Sequence, residues 1–216
     1  MRPSRRLGLL GGTFDPVHFG HLRAATEASE KLPLKQFRLL PAGSPPHRDV
    51  TFASAGHRLA MLALATANYD GVEVDDREVR RSGNSYMVDT LAEIRNEVGD
   101  TPLVLMVGQD AVNKLDSWHE WRALFELAHL VVMRRPGSGH NYSGSLFEEL
   151  QPRLVDESDL LTASPAGKVF PLEVTQLEIS STGIRDLLKT GRSPRFLLPE
   201  PVIDYIYQHD LYDSVR

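Results

Sequence analysis

Two histidines, His18 and His21, stand three residues apart in a glycine-bearing stretch, residues 11–21, here called the phosphate turn. An apolar run at residues 7–10 precedes it and predicts a short buried strand. Good helix formers follow at residues 22–31 and predict a helix. A turn between a strand and a helix start presents backbone N–H groups and the positive end of the helix dipole. Because imidazoles also donate hydrogen bonds to oxygen, the turn is predicted to bind phosphate.

Two other chemistries of such turns do not fit the spacing. Gly8, Gly11 and Gly12 lack the G-x-G-x-x-G spacing of a dinucleotide-binding turn, and no G-x-x-x-x-G-K-[ST] sequence is present. The histidines belong to no H-E-x-x-H pattern, the chain has no cysteine, and Gly20 interrupts any helical face they could share. We therefore predict no metal site built from protein ligands.

A second stretch with phosphate chemistry, residues 179–185, has the sequence Ile-Ser-Ser-Thr-Gly-Ile-Arg. A Ser-Ser-Thr run is typical of a helix N-cap, and we predict a helix that opens here and ends at Gly191. Arg185 lies about one turn into that helix, and its planar guanidinium suits phosphate oxygens. The stretch predicts a second phosphate contact.

Strands and helices alternate along the chain, which favours a parallel sheet with right-handed crossovers. Strands are predicted at residues 37–42, 72–74, 103–107, 130–133 and 169–174, the last as an edge strand because it contains proline. Helices are predicted at residues 53–67, 86–95 (capped by Ser85), 118–127, 146–150 and 199–207. His57 and Arg58 are predicted to lie on the surface. Ligands of such sheets lie beyond the carboxyl ends of the strands, so the phosphate turn, residues 43–48 and residues 108–110 are expected to converge.

Composition narrows the class of protein. The 216 residues suit one α/β domain, which we divide into a core at residues 1–178 and a helical portion at 179–216. The net charge of -5 argues against a nucleic-acid partner. The absence of cysteine excludes a disulfide scaffold, and no apolar stretch reaches the length of a signal peptide or a membrane span. We therefore expect a cytoplasmic protein.

Both phosphate stretches resemble the signatures of the nucleotidyltransferases that share a Thr/His-x-Gly-His motif. The first carries Gly-Gly-Thr-Phe-Asp-Pro-Val-His at residues 11–18 and Gly-His at 20–21. Further stretches are similar to those of bacterial nicotinate mononucleotide adenylyltransferases, namely residues 45–48, 85–91, 108–110, 118–121, 134–136 and 198–206. The likeness therefore covers nearly the whole chain. The resemblance implies a Rossmann-like parallel sheet with helices on both faces and a small helical C-terminal portion. It also implies adenylyl transfer from ATP to nicotinate mononucleotide, with Mg²⁺ held mainly by the ATP phosphates.

The resemblance assigns roles to individual residues. The catalytic residues would be His18, His21 and Arg185. The ATP contacts would be Gly11, Gly12, Thr13, Phe14, His18, His21, Gly108, Asp110, Ile179, Ser180, Ser181, Thr182 and Arg185. The mononucleotide contacts would be Asp15, His47, Arg48, Tyr86, Met87, Thr90, Trp118 and Arg135.

The sequence leaves the roles of several residues, the acceptor and the oligomeric state open. Arg48 stands where the family usually has lysine, and Met87 stands where it usually has threonine. Trp118 is assigned to stacking on the pyridine ring, although a core position is the alternative, which we predict for Trp121. Asp110 is assigned to the ribose, with helix capping as the alternative. Another adenylyltransferase, with nicotinamide mononucleotide or phosphopantetheine as acceptor, and a non-catalytic nucleotide-binding regulator remain alternative functions. A homo-oligomer also stays open.

Overall fold

The computed structural model describes residues 6–32, 34–45, 51–135, 137 and 142–215. The strands are β1 (Arg6–Gly12), β2 (Leu34–Pro41), β3 (Val72–Val74), β4 (Leu103–Gly108), β5 (His129–Arg134) and β6 (Val169–Glu173). They form one parallel sheet in the order β3-β2-β1-β4-β5-β6. The order changes direction between β1 and β4, which is the switch point where ligands of such sheets bind.

The helices are α1 (Phe19–Lys31), α2 (Ala55–Thr66), α3 (Arg77–Arg80), α4 (Met87–Val98), α5 (Gln109–Val112), α6 (Leu124–Leu127), α7 (Gly144–Leu150), α8 (Ser181–Lys189) and α9 (Glu200–Gln208). Short 3₁₀ turns occur between them, at Leu115–Ser117, Trp121–Ala123, Gln151–Arg153 and Ser158–Thr162, and after α9 at Leu211–Asp213. Among the helices that the structure describes, none combines the length and apolar character that a membrane span requires.

The sheet is buried on both faces. Successive residues of β1 point to opposite sides, so Leu9 and Leu10 join two different apolar clusters. The cluster around Leu10 contains residues of α1, α2, α8 and α9, and the cluster around Leu9 contains residues of α4, α6 and α7. This arrangement confirms the predicted Rossmann-like sheet with helices on both faces.

Two local predictions differ from the structure, and a third is confirmed. β2 begins at Leu34 rather than at residue 37. Its first residues pair with β1, and they are partly exposed. The helix predicted at 118–127 is broken, because Glu120 has φ +47 and a helix cannot continue through that conformation. The strand at 169–174 lies at the sheet edge, as its Pro171 predicts.

Candidate active site

The phosphate turn connects β1 to α1. The chain leaves β1 at Gly12, passes through a cis Asp15–Pro16 peptide bond and enters α1 at Phe19, with His18 at the N-cap position. The rings of His18 and His21 are stacked, with centroids 3.7 Å apart and planes 25° apart. Both imidazoles therefore lie at the helix start, where a helix favours an anion.

His18 is buried within this turn. Burial lowers the pKa of its imidazole to about 4, so the ring is neutral at pH 7 and has one N–H donor. Gly20 makes the close packing possible, because a Cβ at that position would lie 2.9 Å from His18 Nδ1. A phosphate oxygen beside this ring would favour its charged form.

Glycines border the carboxyl ends of β1 and β4. A Cβ on Gly11 would lie 2.7 Å from Met87 Cε, so the Met87 side chain packs over the end of β1. A Cβ on Gly12 would lie 2.9 Å from the Phe14 ring. A Cβ on Gly108 would meet no described atom within 4 Å. The switch point therefore has open space on its β4 side.

The second phosphate stretch packs directly against the phosphate turn. Ser180 caps α8, and Ser181 Oγ donates to Pro16 O over 3.0 Å. Arg185 Nη1 donates to Asp15 O over 2.7 Å, across 170 residues of sequence. The two stretches predicted separately thus form one site.

The guanidinium of Arg185 is fixed from several sides. In addition to the bond to Asp15 O, its Nη2 donates to Thr182 Oγ1 over 3.2 Å. The ring of Phe52 covers it, with 4.1 Å between Arg185 Cζ and the ring centroid. The neighbouring Ile179 lies close to α1, since its carbonyl oxygen would be 3.4 Å from a Cβ on Gly20.

The carboxylate of Asp15 does not fit its predicted contact with the mononucleotide. Asp15 is 1% exposed. Its Oδ2 accepts from Phe52 N (2.8 Å), and its Oδ1 accepts from Ala53 N (3.1 Å) and from the Tyr212 hydroxyl (2.8 Å). These internal donors occupy the carboxylate, so we assign Asp15 to holding the site loops together.

The predicted pyridine elements lie at the start of α4. This helix begins at Met87 with Tyr86 at the N-cap position. The Tyr86 ring packs on His119, with centroids 4.3 Å apart, and Asn84 Nδ2 donates to the Tyr86 hydroxyl over 3.0 Å. Trp118 is half-buried and packs on the same apolar cluster as Tyr86 and Met87. The structure therefore groups these three predicted contacts beside the end of β1.

Ser85 does not cap α4, contrary to the prediction. Its Oγ accepts hydrogen bonds from Gly43 N (3.0 Å) and Ser44 N (3.1 Å), and its own N–H donates to Ser44 O (2.9 Å). Ser85 thus clamps the loop that follows β2 against the start of α4. Tyr86, which the structure places at the N-cap position of α4, accepts no side-chain hydrogen bond from the N–H groups of the first helical turn.

Thr90 is fully buried, which corrects its prediction as a mononucleotide contact. Its Oγ1 donates to Glu78 Oε1 over 2.7 Å and accepts from Arg81 Nη1 over 3.1 Å. Burial raises the pKa of the Glu78 carboxyl group. Thr90 therefore supports α4 from inside the protein.

Arg58 is a site residue that the sequence did not reveal, and its predicted surface position is wrong. It is fully buried. Its guanidinium donates to Thr13 O (2.8 Å), Gly43 O (2.9 Å) and Ala53 O (3.3 Å). Arg58 thus joins the phosphate turn to the loop after β2. The prediction failed because helical spacing marks apolar faces and gives no signal for a buried arginine.

The remaining predicted contacts lie at the rim. Asp110 is exposed in the first turn of α5, next to Gly108. Arg135 follows β5 and donates to Gln176 Oε1 (3.1 Å) and Glu178 Oε1 (3.4 Å). His47 and Arg48 lie outside the described residues, so their roles stay predictions.

The electrostatics of the site come from arginines and helix starts. Within the described ranges, no group of three or more His, Cys, Asp or Glu side chains is placed to hold a metal ion. The site thus offers imidazoles, a guanidinium and backbone N–H groups, which are donors suited to an anionic substrate. An arrangement of this kind can align and stabilise a phosphoryl group that changes its bonds.

The fold and the two phosphate stretches define a nucleotidyltransferase. A family model described as cytidylyltransferase-like matches residues 9–187, and the chain belongs to that family. Within it, the chain belongs to the nicotinate-nucleotide adenylyltransferases and is an enzyme. Relatives of that name are about half identical to this chain over nearly its whole length.

A protein of Methylococcus capsulatus named "probable nicotinate-nucleotide adenylyltransferase" is 50% identical over 207 residues, which cover 95% of this chain and 99% of the relative. A protein of Dechloromonas aromatica with the same name is 49% identical over 214 residues, covering 97% and 98%. Similarity at this level spans both phosphate stretches and the elements between them.

The fold is shared with more distant solved structures. The nicotinic acid mononucleotide adenylyltransferase of Plasmodium falciparum, complexed with NaAD, superposes with a TM-score of 0.75 at 17% identity, covering 98% of each chain. A putative nicotinate-nucleotide adenylyltransferase of Vibrio parahaemolyticus gives a TM-score of 0.66 at 13% identity, covering 98% of this chain and 97% of that one. At these identities the likeness establishes the fold alone.

Proposed function

We propose that this site transfers the adenylyl group of ATP to nicotinate mononucleotide, which yields nicotinate adenine dinucleotide and pyrophosphate in the synthesis of NAD. The observation that carries the proposal is the 2.7 Å hydrogen bond from Arg185 Nη1 to Asp15 O, which joins the two phosphate stretches. The identity to curated relatives and the dinucleotide in the Plasmodium falciparum structure support this choice of acceptor.

The reaction needs alignment and charge stabilisation. A phosphate oxygen of the mononucleotide attacks the α-phosphorus of ATP and forms a new P–O bond. The bond from that phosphorus to the bridging oxygen breaks, and pyrophosphate leaves with the electron pair. Because the nucleophile is already an anion, no general base is required.

His18 and His21 would hold the α-phosphate as its charge is redistributed. Their stacked rings lie at the start of α1, where helix dipole and imidazole N–H groups act in the same sense. Preorganised donors of this kind contribute a large part of the catalysis of group transfer. Asp110, exposed beside Gly108, would accept hydrogen bonds from the ribose of ATP.

Arg185 would hold the β- and γ-phosphates and then the departing pyrophosphate. Its guanidinium is kept in place by Asp15 O and Thr182 Oγ1, so less orientational freedom is lost on binding. Backbone N–H groups of Ser181 and Thr182 at the start of α8 would add further donors.

The nicotinate group would lie between the start of α4 and Trp118. N–H groups of the first turn of α4 suit the pyridine carboxylate, and the indole of Trp118 suits a flat ring. Arg135, His47 and Arg48 are the proposed contacts to the mononucleotide phosphate and sugar.

Mg²⁺ would enter as part of the substrate. Within the described ranges, the site has imidazole and guanidinium donors and no cluster of carboxylates, which suits a metal carried by phosphate oxygens and water. When bound, the cation neutralises phosphate charge, and the orientation of the phosphates is left to Arg185 and the helix starts.

The test is pyrophosphate release from ATP and Mg²⁺ with three separate acceptors: nicotinate mononucleotide, nicotinamide mononucleotide and phosphopantetheine. We expect the highest kcat/KM with nicotinate mononucleotide. A higher value with either of the others would redirect the proposal to that acceptor. Binding of ATP without turnover on any acceptor would favour a regulator.

A further inference from the structure

Tyr212 reaches the site from the end of the described chain. It lies in the 3₁₀ turn Leu211–Asp213 with its side chain buried, and its hydroxyl donates to Asp15 Oδ1 over 2.8 Å. The phosphate turn and Tyr212 are separated by 197 residues in the sequence. Tyr212 is thus bonded directly to the phosphate turn.

The backbone around Tyr212 is left-handed. Tyr212 has φ +63, and Asp210 and Asp213 have φ +48 and +51. Non-glycine residues, and bulky ones above all, seldom adopt this conformation because Cβ approaches the backbone. Such strain persists only where surrounding contacts fix it, and it clusters at functional sites. Here the strained turn brings the Tyr212 hydroxyl to Asp15.

Asp15 connects Tyr212 to Arg185 through two sets of contacts. The backbone oxygen of Asp15 accepts from Arg185 Nη1 over 2.7 Å. The carboxylate of Asp15 accepts from Phe52 N over 2.8 Å, and the Phe52 ring covers the same guanidinium with 4.1 Å between Cζ and the ring centroid. Arg185 is therefore held by two groups that both depend on the placement of Asp15.

We propose that Tyr212 is a positioning residue for Arg185. Through Asp15, its hydroxyl fixes the orientation in which Arg185 binds the β- and γ-phosphates of ATP and the pyrophosphate that leaves. This rests on the proposed function of Arg185. Because Tyr212 is buried and its hydroxyl bonds to Asp15, we expect its effect to fall mainly on the phosphates that Arg185 holds.

The Tyr212 hydroxyl is suited to act as a permanent hydrogen-bond donor. Burial, together with the negative charge of Asp15, raises the pKa of this phenol. The group therefore keeps its proton across the pH range of the reaction. The Asp15 carboxylate in turn gains a hydrogen bond that it could not obtain from water at 1% exposure.

The test compares Tyr212→Phe with Tyr205→Phe. Tyr205 lies on α9, and its hydroxyl bonds to His57 Nδ1 over 3.0 Å, outside the site, so this matched control loses an equivalent group. Calorimetric titration measures the Kd of ATP, pyrophosphate and AMP for each protein. For Tyr212→Phe we expect about 5- to 10-fold weaker binding of ATP and pyrophosphate and unchanged binding of AMP, the scale of one lost hydrogen bond. Tyr205→Phe should match the wild type.

A double-mutant cycle with Arg185→Ala tests whether Tyr212 acts through Arg185. If Tyr212 acts through Arg185, Tyr212→Phe adds no further loss of ATP affinity in the Arg185→Ala background. Equal weakening of AMP and ATP would show general damage to the fold, and unchanged ATP affinity would show no positioning role. Either result would overturn the inference. Failure of the wild type to adenylate nicotinate mononucleotide in the same preparation would instead count against the proposed function.

Discussion

The imidazole rings of His18 and His21 are stacked with their centroids 3.7 Å apart, and the Phe14 ring meets His21 edge-on at 5.1 Å. Two charged imidazolium rings at this distance would repel each other, and burial already lowers the pKa of His18. His18 is therefore expected to take up positive charge only when an anion lies beside its ring.

Replacing His21 by alanine, or His18 by asparagine, is expected to lower turnover about 10²–10³-fold, the scale for the loss of one preorganised donor. The measurement is kcat with saturating ATP and nicotinate mononucleotide, accompanied by a thermal melt. His57→Ala, at a half-buried position of α2 outside the site, serves as the control. A variant that melts earlier but keeps its specific activity would show that the histidines are structural.

The stability of the protein should depend on pH through His18. The pKa of His18 is about 4 in the folded protein and 6.5 for an ordinary histidine in an unfolded chain, so between these values the unfolded chain binds one more proton. The free energy of unfolding therefore rises with pH in this window and falls as pH drops from 6.5 to 4, by up to about 3 kcal/mol.

Urea unfolding of the wild type and of His18→Gln at pH 4.5, 5.5, 6.5 and 7.5 checks this slope. His129, whose pKa is also lowered by burial, is present in both proteins, so its contribution cancels in the difference. We expect the wild type to lose stability relative to the variant as pH falls. Parallel profiles would contradict the assignment of the slope to His18.

Trp118→Ala is expected to raise KM for nicotinate mononucleotide by an amount equivalent to about 1–3 kcal/mol, because a stacking surface is lost. Trp118→Phe should recover part of this loss, and the mononucleotide should quench the tryptophan fluorescence of the wild type. Trp121→Phe is the control, since Trp121 is buried in the core as predicted. An unchanged KM in folded Trp118→Ala would place Trp118 among the core residues.

The site should prefer nicotinate over nicotinamide mononucleotide by at least roughly tenfold, since a helix start favours an anion and an amide would face donors with its own N–H₂. Met87, at the first position of α4, has no hydroxyl that could accept from the amide. The measurement is kcat/KM for both mononucleotides at one pH and one Mg²⁺ concentration. Equal values would contradict the nicotinate assignment and leave adenylyl transfer intact.

Two glycines allow stability and binding to be separated. A Cβ on Gly43 would lie 2.1 Å from Glu78 O, a backbone atom, so Gly43→Ala should lower the free energy of unfolding by about 1–3 kcal/mol. A Cβ on Gly108 would meet no described atom, so Gly108→Ala should keep its stability and lose affinity for ATP. Melts and ATP titrations of both variants check this. Equal stability of the two variants would be the contradicting result.

The elements proposed to bind phosphate were predictable because their signals are local. The strand, turn and helix around His18 and His21 occupy a short stretch, and the cap and arginine of residues 180–185 lie within two helical turns. Alternation of apolar runs with helical stretches was sufficient to predict a parallel sheet, whereas the order of its strands was not predicted.

The supports of the site were not predictable in the same way. Arg58, Ser85 and Tyr212 act through partners up to 197 residues away, and no spacing rule links such distant positions. Asp15 and Thr90 lie inside motifs and were for that reason predicted to touch the ligand, whereas burial turns their polar groups inward.

The two edges of the sheet have a consequence for how the protein behaves in a crowded solution. β3 has only three residues, and β6 carries Pro171, which has no N–H to donate to a further strand. Lys31 Nζ, from α1, also donates to Glu173 O at the end of β6 over 2.6 Å. Unpaired edges invite strands from other chains, and short or proline-bearing edges discourage them. These two edges therefore give a mostly apolar sheet protection against edge-to-edge aggregation.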